Sequence, residues 1–259
     1  MTWFNSFSIP HERPLYFGHF TDCHLFADLN GQYFDENCAD NLLRTLDVMA
    51  TENFDFVVFG GDLTQDHSEQ SYRVFADLIA KSALACPVFW VPGNHDDIAL
   101  LERMSEGQIR ACKLIEHPFA NILLINTKGT TPAGWIQATH LEQIEGMLRR
   151  SDTAKVLIGH HHPLPVDGYI DKHILDNGSQ LLALTDRVDH KVKAVLHGHA
   201  HNRYERHYNG VRILGTPATS IQFTKHTTDW QQQCLGPAYR TCLIDQDGEL
   251  ITDVKWLEN

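Results

Sequence analysis

Phe54-Asp55-Phe56-Val57-Val58-Phe59-Gly60-Gly61-Asp62 decides how this chain is read. Positions 56–59 form an unbroken apolar run without alternation, which predicts a short strand buried on both faces. Two glycines then break the run, and an aspartate follows where the strand must end. The same pattern recurs along the chain. Apolar runs rich in Val, Ile, Phe and Leu predict strands over 15–21, 54–60, 88–91, 122–126, 155–159, 192–197 and 211–214. A closing antiparallel pair, 239–245 with 249–256, turns at Asp245-Gln246-Asp247-Gly248. Between these lie helical patterns: 40–52, with Leu42, Leu43, Leu46 and Met49 on one stripe, and a helix capped by Ser68 that aligns Tyr72, Phe75, Leu78 and Ile79. Thr139-His140-Leu141-Glu142 reads as a capping box opening a helix through 150, and a fourth helix runs from 179 to about 188. Strands alternating with helices before a strand-rich end predict one α/β domain over 1–259. Its motifs fall within about 15–223, and its closing strands within about 237–257. Stretches 163–177 and 223–237 lack periodicity and read as loops shaping access to a site; Trp230 in the second packs as a lid or stacks on a base.

Composition removes several classes. At 259 residues the chain can bury a large core. A net charge of −12 without clustered Lys and Arg argues against binding long nucleic acids, although bound divalent cations would reverse the local field. No apolar run reaches membrane-spanning length, and residues 1–7 lack a basic region followed by an apolar stretch, so no membrane association and a cytoplasmic location are expected. Monomer and homodimer both stay open. Six cysteines without a CxxC pair predict reduced thiols packed as small apolar side chains. Seventeen histidines are the anomaly, and many gather in short clusters at predicted strand ends.

Those clusters are Asp22-Cys23-His24, Gly60-Gly61-Asp62, Gly93-Asn94-His95-Asp96, His160-His161-His162-Pro163 and His197-Gly198-His199-Ala200-His201. Together they supply carboxylates, imidazoles and one amide, a donor set that suits Mn, Fe or Zn. Alternate residues of an extended segment face the same way, so Asp22 can converge with His24, and His199 with His201, while Cys23 points away. Asp62 is the natural carboxylate to bridge two ions, and Asn94 is a neutral ligand. Two divalent ions about 3.5–4 Å apart can generate hydroxide near neutral pH. With two Asp and one hydroxide they leave a formal charge of about +1, which suits a phosphodiester. The glycines before Asp62, Asn94 and His199 would let the backbone turn and approach closely. His95 would face the substrate and assist the leaving oxygen, with Asp66 or Asp96 as candidates to orient it. His160, His162 and His197 read mainly as packing residues or supports for the ligands, with a ligand role as the alternative; His67 reads as a helix-entry residue or a substrate contact, and His140 as a solvated first-turn residue. Arg240 reads as a structural ion pair or a phosphate contact.

The five blocks resemble the calcineurin-like metallophosphoesterase family, whose pattern is DxH, GD, GNH[DE], H-x-P and GHxH. Further segments resemble the bacterial class III cyclic-AMP phosphodiesterases (the CpdA, or Icc, type): Gly61-Asp62-Leu63-Thr64-Gln65-Asp66, His161-His162-Pro163-Leu164-Pro165, 215–223 and Pro237-Ala238-Tyr239-Arg240. The resemblance implies a four-layer α/β/β/α sandwich with the site at strand ends and two divalent ions, usually Fe or Mn, with Zn or Co as alternatives. It selects His161 in the triple-His run and His199 with His201 in the last block. One ion would then be held by Asp22, His24, Asp62 and His201, the other by Asp62, Asn94, His161 and His199. Asn94, His95 and His201 would meet the substrate. The implied activity is hydrolysis of 3′,5′-cyclic AMP to 5′-AMP by attack of metal-bound hydroxide on phosphorus; the alternative is another small phosphodiester, a phosphomonoester or a nucleotide pyrophosphate. Many relatives carry an Asp three residues after the bridging Asp, where it orients the His of GNH; here that position is Gln65.

Overall fold

A computed structural model describes residues 2–188 and 191–257. Residues 1, 189–190 and 258–259 of the expected 1–259 domain lie outside the described residues. Two sheets form the centre. The six-stranded sheet runs, in spatial order, Leu250–Trp256, Ala238–Ile244, Leu15–Phe20, Phe56–Phe59, Val88–Trp90 and Ile109–Arg110. The seven-stranded sheet runs Ser6–Ser8, Leu114–Glu116, Ala120–Leu124, Ala154–Ile158, Val192–His197, Val211–Gly215 and Tyr204–Tyr208. Leu15–Phe20, Phe56–Phe59 and Val88–Trp90 are mutually parallel, as are Ala154–Ile158 and Val192–His197, so their carboxyl ends gather on one edge.

The apolar runs lack alternation because both faces are covered. Phe56 and Val58 enter the layer between the sheets with Phe17, Ile122, Leu124, Val156, Ile158 and Leu196. Their neighbours Val57 and Phe59 face a second core, formed with Leu42, Leu46 and Met49 of helix Cys38–Ala50 and Phe75, Leu78 and Ile79 of helix Glu69–Lys81. On the far side, Leu123, Leu157 and Val195 pack against Ile144 and Leu148 of Ala138–Arg149 and Leu181 and Leu182 of Gly178–Thr185. Each fully buried Leu or Phe contributes roughly 1.5–3 kcal/mol of burial free energy. The result is the expected α/β/β/α sandwich.

Several local expectations shift. Short strands at Ser6–Ser8, Ile109–Arg110, Leu114–Glu116 and Tyr204–Tyr208 and the helix Ile98–Arg103, capped by Asp97, were not legible. The Thr139 capping box does not form: the helix begins at Ala138 after Gln137, with no side-chain cap bond. His140 is not solvated but buried, stacked on Phe4 at 5.5 Å, with its Nε2 accepting the Asn126 N–H at 3.0 Å. No disulfide forms among the described residues. Among them, also, no helix is long and apolar enough to cross a membrane.

Candidate dinuclear metal site

Asp22, Asp62 and Asn94 follow the strands Leu15–Phe20, Phe56–Phe59 and Val88–Trp90 of one sheet, while His160, His161, His199 and His201 follow Ala154–Ile158 and Val192–His197 of the other. Three groups bring ligand atoms within 4.8 Å of one another: Asp22–His24–His201, Asp22–Asp62–His160 and His160–His161–His199. The convergence does not come from extended alternation. Asp22 (φ 55°), His24 (47°), Asp62 (56°), His199 (59°) and His201 (43°) all take left-handed backbone, which non-glycine residues adopt rarely and chiefly where structure over-determines them. Two glycines make room for this. A Cβ on Gly93 would lie 2.2 Å from Asp62 Oδ1, and one on Gly198 would lie 2.5 Å from Asp22 Oδ2.

The hydrogen bonds reveal where the lone pairs point. His24 Nδ1 meets Gln65 Oε1, His201 Nδ1 meets Ile221 O and His160 Nδ1 meets Gly60 O, each at 2.8 Å, and His199 Nε2 meets His173 O at 3.0 Å. Those oxygens only accept, so these nitrogens carry protons; in His24, His199 and His201 the opposite nitrogens present lone pairs to the centre, while that of His160 faces Asp62. His24 Nε2 and His201 Nε2 then stand 3.1 Å apart with no proton to share, and His201 Nε2 is 3.1 Å from Asp22 Oδ1. His160 Nε2, 3.2 Å from Asp62 Oδ2, and Asn94 Oδ1 are buried and meet no hydrogen-bond partner among the described residues. Facing lone pairs beside buried carboxylates are the chemistry a divalent cation satisfies, so the donor set fits metal ions. His161 differs: its Nε2 donates to Pro132 O at 3.2 Å, and its Nδ1 lies 2.9 Å from Thr127 Oγ1, which leaves neither nitrogen open.

Burial governs the electrostatics. It pushes His24 down to about 3, with His201 adding to the effect, and holds His161 and His199 well below the usual histidine range. Burial alone would raise Asp62, but His160 and His95 hold its carboxyl well below the usual carboxylate range. Burial likewise opposes protonation of His160, yet the adjacent Asp62 lifts it to about 9, which marks where these carboxylates call for positive charge.

His95 lies beside the centre, its ring edge-on to His24 at 4.9 Å and its backbone N–H donating to Asp62 Oδ1 at 2.9 Å. Neither candidate orienting carboxylate touches its ring. Asp96 accepts from the N–H groups of Asp62, Leu63 and Gly93 at 2.8–2.9 Å, pinning the backbone under the shared aspartate. Asp66 accepts from Ala27 N and from Ser68 N and Oγ, closing a loop. Gln65 serves His24 instead of His95. The ring packed on His95 is His67, 5.2 Å away and parallel within 8°, with its Nδ1 donating to His95 O. Lys128, which carried no signal in the sequence, donates to Asn94 O at 2.7 Å. His67, His95 and Lys128 line adjoining clefts of about 510 and 290 Å³. A further cleft of about 530 Å³, between Glu69–Lys81 and Ile98–Arg103, contains none of the proposed ligands. Among the described residues Arg240 has no ion-pair partner; it is buried, donating to Gly215 O at 2.7 Å and to the hydroxyls of Thr216 and Thr252.

Residues 15–203 match the model of a family described as calcineurin-like phosphoesterase. The chain belongs to that family. It is 47% identical over 260 residues, 99% of each chain, to a protein of Pseudoalteromonas sp. (strain SM9913) named probable cyclic nucleotide phosphodiesterase. It is 32% identical over 241 residues, 90% of this chain and 86% of the other, to CpdA of Escherichia coli (strain K12), named 3′,5′-cyclic adenosine monophosphate phosphodiesterase. Among solved structures, a dimetal phosphatase from Danio rerio shares the fold with a TM-score of 0.67 at 14% identity, covering 93% of this chain and 98% of that one. A purple acid phosphatase from yellow lupin does so with a TM-score of 0.66 at 15% identity, covering 93% and 53%. Family membership and the His/Asp clusters make the chain a metal-dependent phosphoesterase.

Proposed function

We propose that the protein hydrolyses 3′,5′-cyclic AMP to 5′-AMP with two divalent ions, Fe or Mn by preference and Zn or Co as alternatives. The observation that carries the reading is the convergence of imidazole nitrogens of His24, His160 and His201 on the buried carboxylates of Asp22 and Asp62. Asp22, His24 and His201 would hold one ion, and Asn94 and His199, with an imidazole of the His160-His161 pair, the other; Asp62 would be shared. Divalent ions there supply Lewis acidity, making water acidic and offsetting phosphoryl charge. The names of the relatives from Pseudoalteromonas and E. coli support a cyclic nucleotide as the phosphodiester.

The chain's own contribution centres on His95. Burial holds it below the usual histidine range against the opposing pull of Asp62, so at neutral pH its ring is neutral and offers one N–H. That N–H would hydrogen-bond the 3′ oxygen as the P–O3′ bond breaks; a water oxygen joins phosphorus, and a water proton ends on O3′. Asp96 and Lys128 hold the backbones of Asp62 and Asn94 in register for this.

The test is turnover by protein loaded with Mn²⁺ or Fe²⁺ on cyclic AMP, cyclic GMP, an aryl phosphodiester and a phosphomonoester. Cyclic AMP should yield 5′-AMP; survival of cyclic AMP while the other esters are cleaved would sink the reading. Metal content of two variants probes the ligand set. His160→Ala should lower affinity for one ion by at least tenfold, and His161→Ala by less, because both His161 nitrogens already meet oxygen atoms, whereas His160 Nε2 faces the shared carboxylate of Asp62. The reverse order would return the role to His161.

A further inference from the structure

Six aromatic rings close a circuit above one half of the site. Tyr33 stacks on His24 at 5.0 Å and meets Phe34 at 4.7 Å; Phe34 meets Trp230 at 4.6 Å. Trp230 lies 6.4 Å from Phe223, which stacks on His201 at 4.1 Å and 4°, and His201 returns to His24 at 5.0 Å. Two of these rings belong to proposed ligands of one ion, and the other four extend from them.

The four are built on two separate hairpins. Gln32–Tyr33 pairs with Glu36–Asn37, and Gln222–Phe223 pairs with Gln232–Gln233. Cys234 Sγ, just past the second hairpin, lies 2.8 Å from Glu36 Oε1 of the first and ties the two together. The tip of the first hairpin, Phe34-Asp35, has φ of 50° and 67°, a turn that favours Asn and Gly. A phenylalanine there is strained, and it remains 44% exposed; Trp230 remains 36% exposed. A strained, exposed ring contributes little to the core, which points to a ligand.

We propose that Phe34 and Trp230 are the stacking shelf for the base of a nucleotide whose phosphate sits at the dinuclear site. This rests on the phosphodiesterase reading above and names what that site recognises beyond phosphate. Two ring steps, 5.0 and 4.7 Å, separate His24 from Phe34, a span a nucleoside can bridge. Stacking on an aromatic face tolerates any base, so the shelf selects nucleotides over plain sugar phosphates more strongly than adenine over guanine.

The experiment compares inhibition by 5′-AMP and by ribose 5-phosphate, which has the same phosphate and sugar but no base. The reporter is hydrolysis of an aryl phosphodiester by the Mn²⁺-loaded enzyme, with metal content measured for each variant. Wild-type enzyme should bind 5′-AMP at least roughly tenfold more tightly than ribose 5-phosphate. The gap should close in Phe34→Ala/Trp230→Ala, through weaker 5′-AMP binding, and survive largely in Trp230→Phe. A gap that persists in the double variant, or is absent from wild type, overturns the shelf. If cyclic AMP is not hydrolysed but the gap opens and closes as stated, the shelf stands and the substrate is another nucleotide. If cyclic AMP is hydrolysed without a gap, the phosphodiesterase reading stands and the shelf falls.

Discussion

A histidine whose Nε2 accepts a backbone N–H cannot take a proton there without breaking that bond. His140 is held this way by Asn126 N, stacked on Phe4 and edge-on to Trp3, and burial lowers its pKa to about 4. In the unfolded chain the ordinary value is about 6.5. The unfolded state therefore takes up the proton first as pH falls, so the fold keeps its full stability above about 6.5 and loses it between 6.5 and 4. At pH 5 the loss from this one ring is about 2 kcal/mol. In urea unfolding with chelator present, His140→Gln should lose about that much less stability than wild type between pH 7 and pH 5. Parallel curves across that window would count against the account. The sequence hid this role because a His in the first turn of a helix looks the same whether its ring faces water or an aromatic pair. Likewise, motif order made the ligand candidates legible, but the left-handed backbone at Asp22, His24, Asp62, His199 and His201 was not, since the alternation rule presumes an extended chain.

Elements were readable where a run was long enough to show a period. The strand Val192–His197 lies where the sequence puts it, and the helix Glu69–Lys81 starts behind Ser68, whose hydroxyl accepts from Ser71 N as a cap should. Strands of two or three residues, such as Ile109–Arg110, and the six-residue helix Ile98–Arg103 are too short to carry any period; neighbouring strands and packing define them. Caps test the difference between a motif and a bond. Ser68→Ala removes an observed cap and should cost about 1 kcal/mol. Thr139→Ala, at an exposed first-turn position that makes no cap bond, should change stability by less than about 0.5 kcal/mol. Denaturant midpoints at equal slope measure both; equal losses would mean that Thr139 caps its helix in solution.

Across the whole molecule, the site lies where two sheets meet at their carboxyl ends. Asp22, His24, Asp62 and Asn94 come from one sheet, and His160, His199 and His201 from the other. Ions shared between those donors would bind the folded sandwich far better than the unfolded chain, so they should fasten it by mass action. At free metal a thousandfold above Kd, this linkage is worth about 4 kcal/mol, or about 10 °C in Tm for a chain of this size. Chelation should lower Tm by that order, and Mn²⁺ should restore it. The drop should be smaller below the His160 value of about 9 than above it, because a proton on that ring partly stands in for the missing cation between Asp22 and Asp62. Asn94→Ala, which removes a donor from one sheet without adding buried charge, should narrow the gap between loaded and chelated protein. If chelation abolishes turnover yet leaves Tm unmoved at every pH, the ions serve chemistry alone. The two sheets would then be held together by the apolar layer of Phe17, Phe56, Val58, Ile122, Val156 and Leu196 without help from the site.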